Sequence, residues 1–359
     1  MTDVQTSPPP ASPSQPAGPA PLLLARQLRV HFRVKHFGPW RDDDIVRAVD
    51  GINFDLRPGE TLGIVGESGC GKSSLARALV GLNPVTGGAL LYQDRDISGL
   101  DHAGWQQMRR DIQLVFQDPL ASLNPRMTIG ENIAEPLRNL FPEYAAAERQ
   151  DRVVQALQRV GLSASHINRY PHEFSGGQCQ RVGIARALVV EPRVLVCDEA
   201  VSALDVSIQS QIIDLLTDLR RDLDLAMIFI AHDLAVVKEI SHRIMVMYLG
   251  KVMEQGPAES VFGNPRHPYT RALLSAVPVP DPAVERARER VILTGDLPSP
   301  SHPPSGCVFR TRCQFADHLC GRDIPNLRQL GRGAAAACHY VGQIADADGL
   351  SVPPGLRLD

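Results

Sequence analysis

The 359-residue chain lacks any apolar run long enough to cross a membrane. Its longest apolar stretches, such as Ala226 to Ala231 and Val194 to Cys197, are strand-length, far short of the roughly 20 residues a spanning helix needs. A soluble chain is expected. No long basic run is present, and 37 Lys and Arg stand against 40 Asp and Glu, a balance that argues against DNA or RNA as partner. Met1 to Pro21 is rich in Pro, Ser and Ala and lacks the charged segment followed by an apolar core that marks a secretion signal. We expect a disordered cytoplasmic tail there. Seven cysteines, an odd number without an export signal, argue against a disulfide framework, and none are spaced as a CxxC knuckle. No internal repeat is visible, so one catalytic unit is expected rather than two.

What the chain does have is an alternation of strand and helix patterns. Leu22 to Val34 and Ile45 to Leu56 read as strands of a small antiparallel sheet, with Lys35 to Asp44 as a polar loop between them. Further strands are expected at Glu60 to Val65, Ile112 to Phe116, Val194 to Asp198, Met227 to Ala231 and Ile244 to Tyr248. Helical spacing lies between them, as in Ile212, Ile213, Leu215, Leu216 and Leu219, which predicts an α/β fold with a largely parallel sheet. From about Ser122 to Val190 no comparable strand occurs, and a helical insertion is expected, its clearest helices being Arg149 to Val160 and Gly176 to Val190. After Gly256 the prolines multiply (Pro265, Pro268, Pro278, Pro280, Pro282, then Pro298 to Pro304), marking a linker into a small C-terminal region over 257–345, followed by a tail over 346–359.

Gly66-Glu67-Ser68-Gly69-Cys70-Gly71-Lys72-Ser73 fits GxxxxGK[ST] between an expected strand and the expected helix Lys72 to Gly81, the context this phosphate loop requires. Its glycines let backbone N–H groups curl toward phosphate oxygens, aided by the following helix dipole. Lys72 would neutralise the β and γ phosphates and Ser73 would ligate magnesium. Downstream, Val194 to Glu199 is an apolar strand ending in two acids. Asp198 would hold magnesium through water as a hard oxygen ligand, and Glu199 would polarise the attacking water as general base.

These motifs define a P-loop NTPase. Phe174-Ser175-Gly176-Gly177-Gln178 narrows it, because it closely resembles the signature, usually LSGGQ, of the ABC ATPases. Ser175 there would cap a helix whose N-terminus faces an anion. The family's other motifs follow in order: Gln117 matches the Q-loop, where it would also reach the magnesium; Ser202-Ala203-Leu204-Asp205 matches the D-loop; His232 matches the switch histidine; and Phe32 lies where an adenine-stacking aromatic is usual. Ala121 to Arg126 (ASLNPR), Tyr170 to Ser175 (YPHEFS), Val201 to Ser207 (VSALDVS) and His267 to Thr270 (HPYT) look like the oligopeptide/dipeptide/nickel importer family, and FSGGQ with SLNPR is similar to its second, F-type ATPase subunit. The resemblance runs from about Leu22 to the C-terminus.

The resemblance implies an ATP-hydrolysing unit over 22–256, with antiparallel β, core and helical parts. It works at the cytoplasmic face of the inner membrane with a second homologous ATPase subunit, two permease subunits and an external binding protein. ATP would be sandwiched between one subunit's P-loop and the partner's signature loop. Peptides, glutathione or nickel all remain as cargo, and a soluble, non-transport ABC ATPase or a P-loop kinase are the rival classes. The chain departs from the family where Ala200 replaces a proline, Ser74 a threonine, and Cys179 an arginine, the last expected to alter a contact across the dimer.

Cys70, Cys179 and Cys197 are scattered in the core and are expected to be fillers. Cys307, Cys313, Cys320 and Cys338 gather in the small C-terminal region, where four thiolates could hold zinc or an iron–sulfur cluster and organise a segment too small for its own core. The family resemblance implies a 4Fe-4S cluster.

Overall fold

A computed structural model describes residues 20–34, 44–277, 286, 291–341 and 343. The expected N-terminal tail up to residue 19, the loop over 35–43, the prolines at 278, 280 and 282, and the tail from 346 lie outside the described residues. In chain order the elements are β1 (Leu23–Val34), β2 (Asp44–Leu56), β3 (Thr61–Val65), α1 (Lys72–Leu79), β4 (Gly87–Tyr92), β5 (Arg95–Asp96), α2 (His102–Met108), β6 (Ile112–Val115), α3 (Ile129–Leu140), α4 (Ala146–Arg159) and α5 (Gly176–Leu188). Then come β7 (Val194–Asp198), α6 (Val206–Leu223), β8 (Ala226–Ala231), α7 (Leu234–Ile240), β9 (Arg243–Tyr248), β10 (Lys251–Pro257), α8 (Ala258–Gly263), α9 (Pro268–Ser275), α10 (His318–Arg322), β11 (Arg328–Gly331) and β12 (Ala334–Ala336).

The described strands form two sheets, β2-β1-β4-β5 and β11-β12-β10-β9-β3-β8-β7-β6. The first is antiparallel, as expected, with β4 and β5 added beyond the two strands predicted. In the second, β9, β3, β8, β7 and β6 run parallel. Strands β3, β7 and β8 are buried at every residue, which is why they read as unbroken apolar runs rather than as alternations. Between β6 and β7 the described chain is helical, as expected, and α3, α4 and α5 pack on one another. Helix α3 is an addition to the two helices predicted there, although its N-terminus is marked by a capping box, Thr128 with Glu131.

The main sheet continues past residue 256. Strand β10 pairs with β9, and β12 pairs with β10 through Glu254↔Ala336 and Gln255↔Ala335. Among the described residues no helix is long and apolar enough to cross a membrane.

Register sets where the chemistry falls. Val65 sits opposite Ala231, Asp198 opposite Ile230 and Val115 opposite Cys197. The residues that follow each strand, Gly66, His232, Glu199 and Phe116-Gln117, therefore leave the sheet at the same edge. That carboxyl edge is where parallel α/β sheets bind ligands.

Candidate nucleotide site

The loop from Gly66 to Ser73 joins β3 to α1. Gly71 caps the helix at φ 104° with no side-chain cap, leaving the first N–H groups of α1 for a ligand. A Cβ at Gly71 would lie 1.9 Å from the Ala48 carbonyl oxygen, so only glycine fits there. Lys72 is 4% exposed. Its Nζ donates to the carbonyls of Gly66 at 2.8 Å and Glu67 at 3.0 Å and stands 3.7 Å from Glu199. A buried ammonium is retained only where partners offset its desolvation, and here those partners are the loop's own carbonyls and an acid.

Asp198, at the end of β7, is 4% exposed and accepts from the Ser73 hydroxyl at 3.0 Å. Burial raises its carboxyl above the ordinary value, Ser73 opposes the shift and the Glu199 charge adds to it. A cation between Ser73 and Asp198 would relieve that burial cost, so the pair fits magnesium by the chemistry of its donors. Glu199 follows at φ 48°, a left-handed backbone uncommon outside glycine. Its N–H donates to the Ile230 carbonyl at 3.0 Å, and its carboxylate accepts from Gln117 Nε2 at 2.8 Å. Lys72, Ser73, Asp198, Glu199 and Gln117 thus form one contiguous group. His232 is exposed just beyond β8, on the strand next to the one bearing Glu199. Phe32 lies on β1, half-buried against the core beneath the antiparallel sheet.

The signature residues stand elsewhere. Ser175 is exposed and caps α5 in a reciprocal box: Gln178 N–H donates to its Oγ at 3.3 Å, and its own N–H donates to Gln178 Oε1 at 3.0 Å. A Cβ at Gly177 would fall 2.5 Å from Ile208 Cγ2, and one at Gly176 3.6 Å from Leu204. The signature helix therefore starts directly against the loop holding exposed Asp205, the cap of α6. One expectation is corrected. Cys179 does not face outward to a dimer partner: it is 0% exposed, its thiol directed at the Pro171 carbonyl of its own chain at 3.5 Å, because position 179 falls on the inner face of α5. Cys70 and Cys197 are likewise buried free thiols, Cys70 with its sulfur 3.9 Å from Lys72 Nζ, and burial pushes Cys197 up to about 12.

Residues of the C-terminal region touch the phosphate loop in a way sequence did not foresee. The Tyr269 hydroxyl accepts from Glu67 N–H at 2.9 Å and Arg312 pairs with the Glu67 carboxylate at 2.6 Å. The only hint was the tyrosine of the HPYT motif.

In that same region Cys307, Cys320 and Cys338 are buried and Cys313 half-buried, all as free thiols. Cys307 N–H donates to the Cys320 carbonyl at 2.8 Å, and Tyr340 N–H donates to Cys338 Sγ at 3.4 Å. Burial raises Cys313 to about 12 and Cys338 to about 11; the other three thiols add to the first shift and Cys307 and Cys320 to the second. The four are thus electrostatic neighbours. Among the described residues, however, no group of three or more His, Cys, Asp or Glu converges to hold a single metal ion. Zinc, which would draw sulfurs to within about 4 Å of one another, does not fit as the site stands.

A parallel sheet carrying a phosphate loop, an acid pair and a glutamine at its carboxyl edge, with a helical insertion bearing SGGQ, defines an ATP-binding cassette. Known proteins agree. Residues 49–202 match the ABC transporter family and residues 253–320 the oligopeptide/dipeptide transporter C-terminal region. The oligopeptide transport ATP-binding protein OppF of Salmonella typhimurium is 55% identical over 317 residues, 88% of this chain and 95% of that protein. The di/tripeptide transport ATP-binding protein DppF of Pseudomonas aeruginosa is 47% identical over 324 residues, 90% of this chain and 98% of that protein. A solved ATP-binding cassette, dimeric in a post-hydrolysis state with ADP and Pi, shares 28% identity at a TM-score of 0.58, covering 66% of this chain and 98% of its own. The chain belongs to the ABC transporter ATP-binding proteins, in their oligopeptide/dipeptide branch.

Proposed function

We propose that this chain binds ATP with magnesium at the Gly66 to Ser74 loop and hydrolyses it to energise import of peptides, dipeptide or oligopeptide, across the cytoplasmic membrane. The observation that carries this reading is the contiguity of Lys72, Ser73, Asp198, Glu199 and Gln117 in a chain whose relatives are named for peptide transport. Magnesium held by Ser73 and Asp198, with Gln117 beside it, would supply charge neutralisation of the phosphates. Lys72 leaves its carbonyl partners to meet the β and γ oxygens, and backbone N–H groups from Gly69 to Ser73 hold the rest. Glu199, freed of Lys72, orients a water and takes its proton. His232 and Gln117 sense the γ phosphate, and Phe32 stacks on the adenine.

Ser175, Gly176, Gly177 and Gln178, with Asp205, serve the partner's nucleotide rather than this chain's own. Their support is the exposure of Ser175, Gly176 and Asp205 at the start of α5 and the loop before α6. The partner is a second, homologous ATPase subunit, with two permease subunits and an external binding protein completing the importer at the cytoplasmic side of the inner membrane. A cavity of about 520 Å³ between the sheet and the helical insertion, lined by Phe116, Glu135, Asn139 and Arg186, suits a cytoplasmic loop of the permease. The working division is an ATPase unit over 22–256 with its helical part over 122–190, and a C-terminal unit over 257–345. The four C-terminal thiols are kept as candidate ligands of a 4Fe-4S cluster on the family resemblance and on their shared place in the C-terminal unit, and they would have to draw together to hold it; iron and sulfide analysis after anaerobic purification measures it, and iron-free protein of normal stability would end the reading.

Uptake of labelled peptides, glutathione and nickel in cells lacking this chain tests the cargo. Loss of peptide uptake, restored by the wild-type chain, is expected. Loss of nickel or glutathione uptake with peptides unaffected would overturn the peptide assignment.

A further inference from the structure

The GxxxxGK[ST] pattern demands nothing of its second residue, yet Glu67 is gripped on three sides. Its N–H donates to the Tyr269 hydroxyl at 2.9 Å, its carboxylate takes Arg312 at 2.6 Å, and its carbonyl accepts from Lys72 at 3.0 Å. The first two partners lie 202 and 245 residues further along the chain. Both are themselves fixed. Tyr269 is 0% exposed, its ring 4.9 Å from that of Tyr248 and 5.2 Å from that of Phe309. Phe309 also meets Tyr248 at 5.3 Å, and the Arg312 side chain is 10% exposed. Leu297 lies against Gly69, so the C-terminal region backs the loop at two points.

A loop that binds phosphate through backbone N–H groups must hold them in one conformation. Each residue ordered on binding subtracts from affinity, and contacts made beforehand remove that cost. The Tyr269 bond fixes the backbone of the loop's second residue, and the Arg312 pair fixes its side chain. Neither contact comes from the ATPase motifs, and both side chains are engaged with Glu67 rather than with the loop's phosphate-binding positions.

We propose that Tyr269 and Arg312 are positioning residues of the phosphate site, clamping Glu67 so that the loop's N–H groups are aimed before nucleotide arrives. The C-terminal region then belongs to the nucleotide machinery. This rests on reading the Gly66 to Ser74 loop as the ATP site, and the test keeps the two apart.

In the full chain, affinities for ATP and AMP are measured by displacement of a fluorescent nucleotide, with melting temperature recorded without nucleotide. Tyr269→Phe, which removes only the hydroxyl, is expected to weaken ATP about threefold to tenfold, and Arg312→Gln about tenfold. AMP, lacking the β and γ phosphates, should lose much less, and Arg312→Lys should recover part of the loss. Glu67→Gln combined with Arg312→Gln should be no worse than either alone, since both break one contact. Equal losses for ATP and AMP, or wild-type affinity for both, would overturn the clamp. If Tyr269→Phe fails to fold, the Arg312 and Glu67 variants decide alone. Lys72→Ala is the control: unchanged ATP binding there would remove the ATP-site reading itself, whereas loss there with normal Tyr269→Phe and Arg312→Gln removes only the clamp.

Discussion

The phosphate loop and the signature loop are both glycine-rich turns entering a helix, yet their surroundings differ in kind. The first is closed in on itself. Lys72 is buried among Gly66, Glu67 and Glu199, Asp198 is tied to Ser73, and Glu67 is held from the far end of the chain. The second is exposed, with Ser175 and Gln178 satisfying only each other and the two glycines resting on Leu204 and Ile208. A site whose lysine already meets an acid of its own chain reads as a binding site; a self-capped, exposed helix start whose glycines meet only the apolar Leu204 and Ile208 reads as half of one. The same backbone device serves two roles, and the partner groups around it, not the glycines, say which.

The sharpest way to break this contrast is at Glu199. Its carboxylate sits between Gln117 and Lys72, and Glu199→Gln keeps size and hydrogen bonding while removing the base. Hydrolysis by the assembled ATPase pair should fall by about 10² to 10⁴, the span general-base removal costs, with ATP binding preserved. Turnover at the wild-type rate would exclude Glu199 as the base.

A second comparison sets Lys72 against Ser175. Lys72→Ala should weaken ATP binding by the isolated chain at least about tenfold, because a charge-assisted contact to phosphate is lost. Ser175→Ala should leave that affinity unchanged and cost only the helix cap, about 1 kcal/mol, seen as a fall in melting temperature of no more than about 2–4 °C. What Ser175→Ala should abolish is ATP-dependent co-elution with the second ATPase subunit. If it weakened binding by the isolated chain as Lys72→Ala does, the two loops would share one site and the contrast drawn above would be wrong.

How much of this was legible in sequence follows the same division. Strands β3, β7 and β8 announced themselves because central parallel strands are apolar on both faces, and functional residues stand at or just past their ends (Gly66, Asp198 and Glu199, His232), so fold and phosphate site could be read together. Strand β10 was masked by buried Glu254, whose carboxylate accepts from the N–H groups of Arg266 and His267 at 2.7 and 2.9 Å. The contact across the dimer expected to change at Cys179 was inferred from the arginine usual there in the family. Val182, one turn further along α5 and equally buried, marks that side of the helix as its inner face. Contacts such as Tyr269 to Glu67 join residues 202 apart, a distance over which no local pattern carries information.

The smallest expected effect concerns what braces the phosphate loop and has no counterpart at the signature loop. Helix α9, which carries Tyr269, is capped by His267: its Nδ1 accepts from Tyr269 N–H at 3.0 Å, and the residue is 1% exposed beside Phe309. Burial drives its pKa from 6.5 down to about 3, while a backbone contact with Ala337 works weakly the other way. A base held neutral in the fold but free to charge in the unfolded chain makes the unfolded state bind more protons, so stability rises with pH through this window and falls progressively as pH drops below about 6.5. Glu254 opposes the trend, since burial raises its carboxyl and the fold takes up its proton early. The variant is therefore the measure rather than the wild-type slope. His267→Asn keeps a side-chain acceptor for Tyr269 N–H and removes the titration, so melting temperature between pH 7 and pH 5.5 should fall less in the variant than in the wild type. An identical slope in both would show that the brace does not sense this proton, and would leave the cap of α9 as geometry alone.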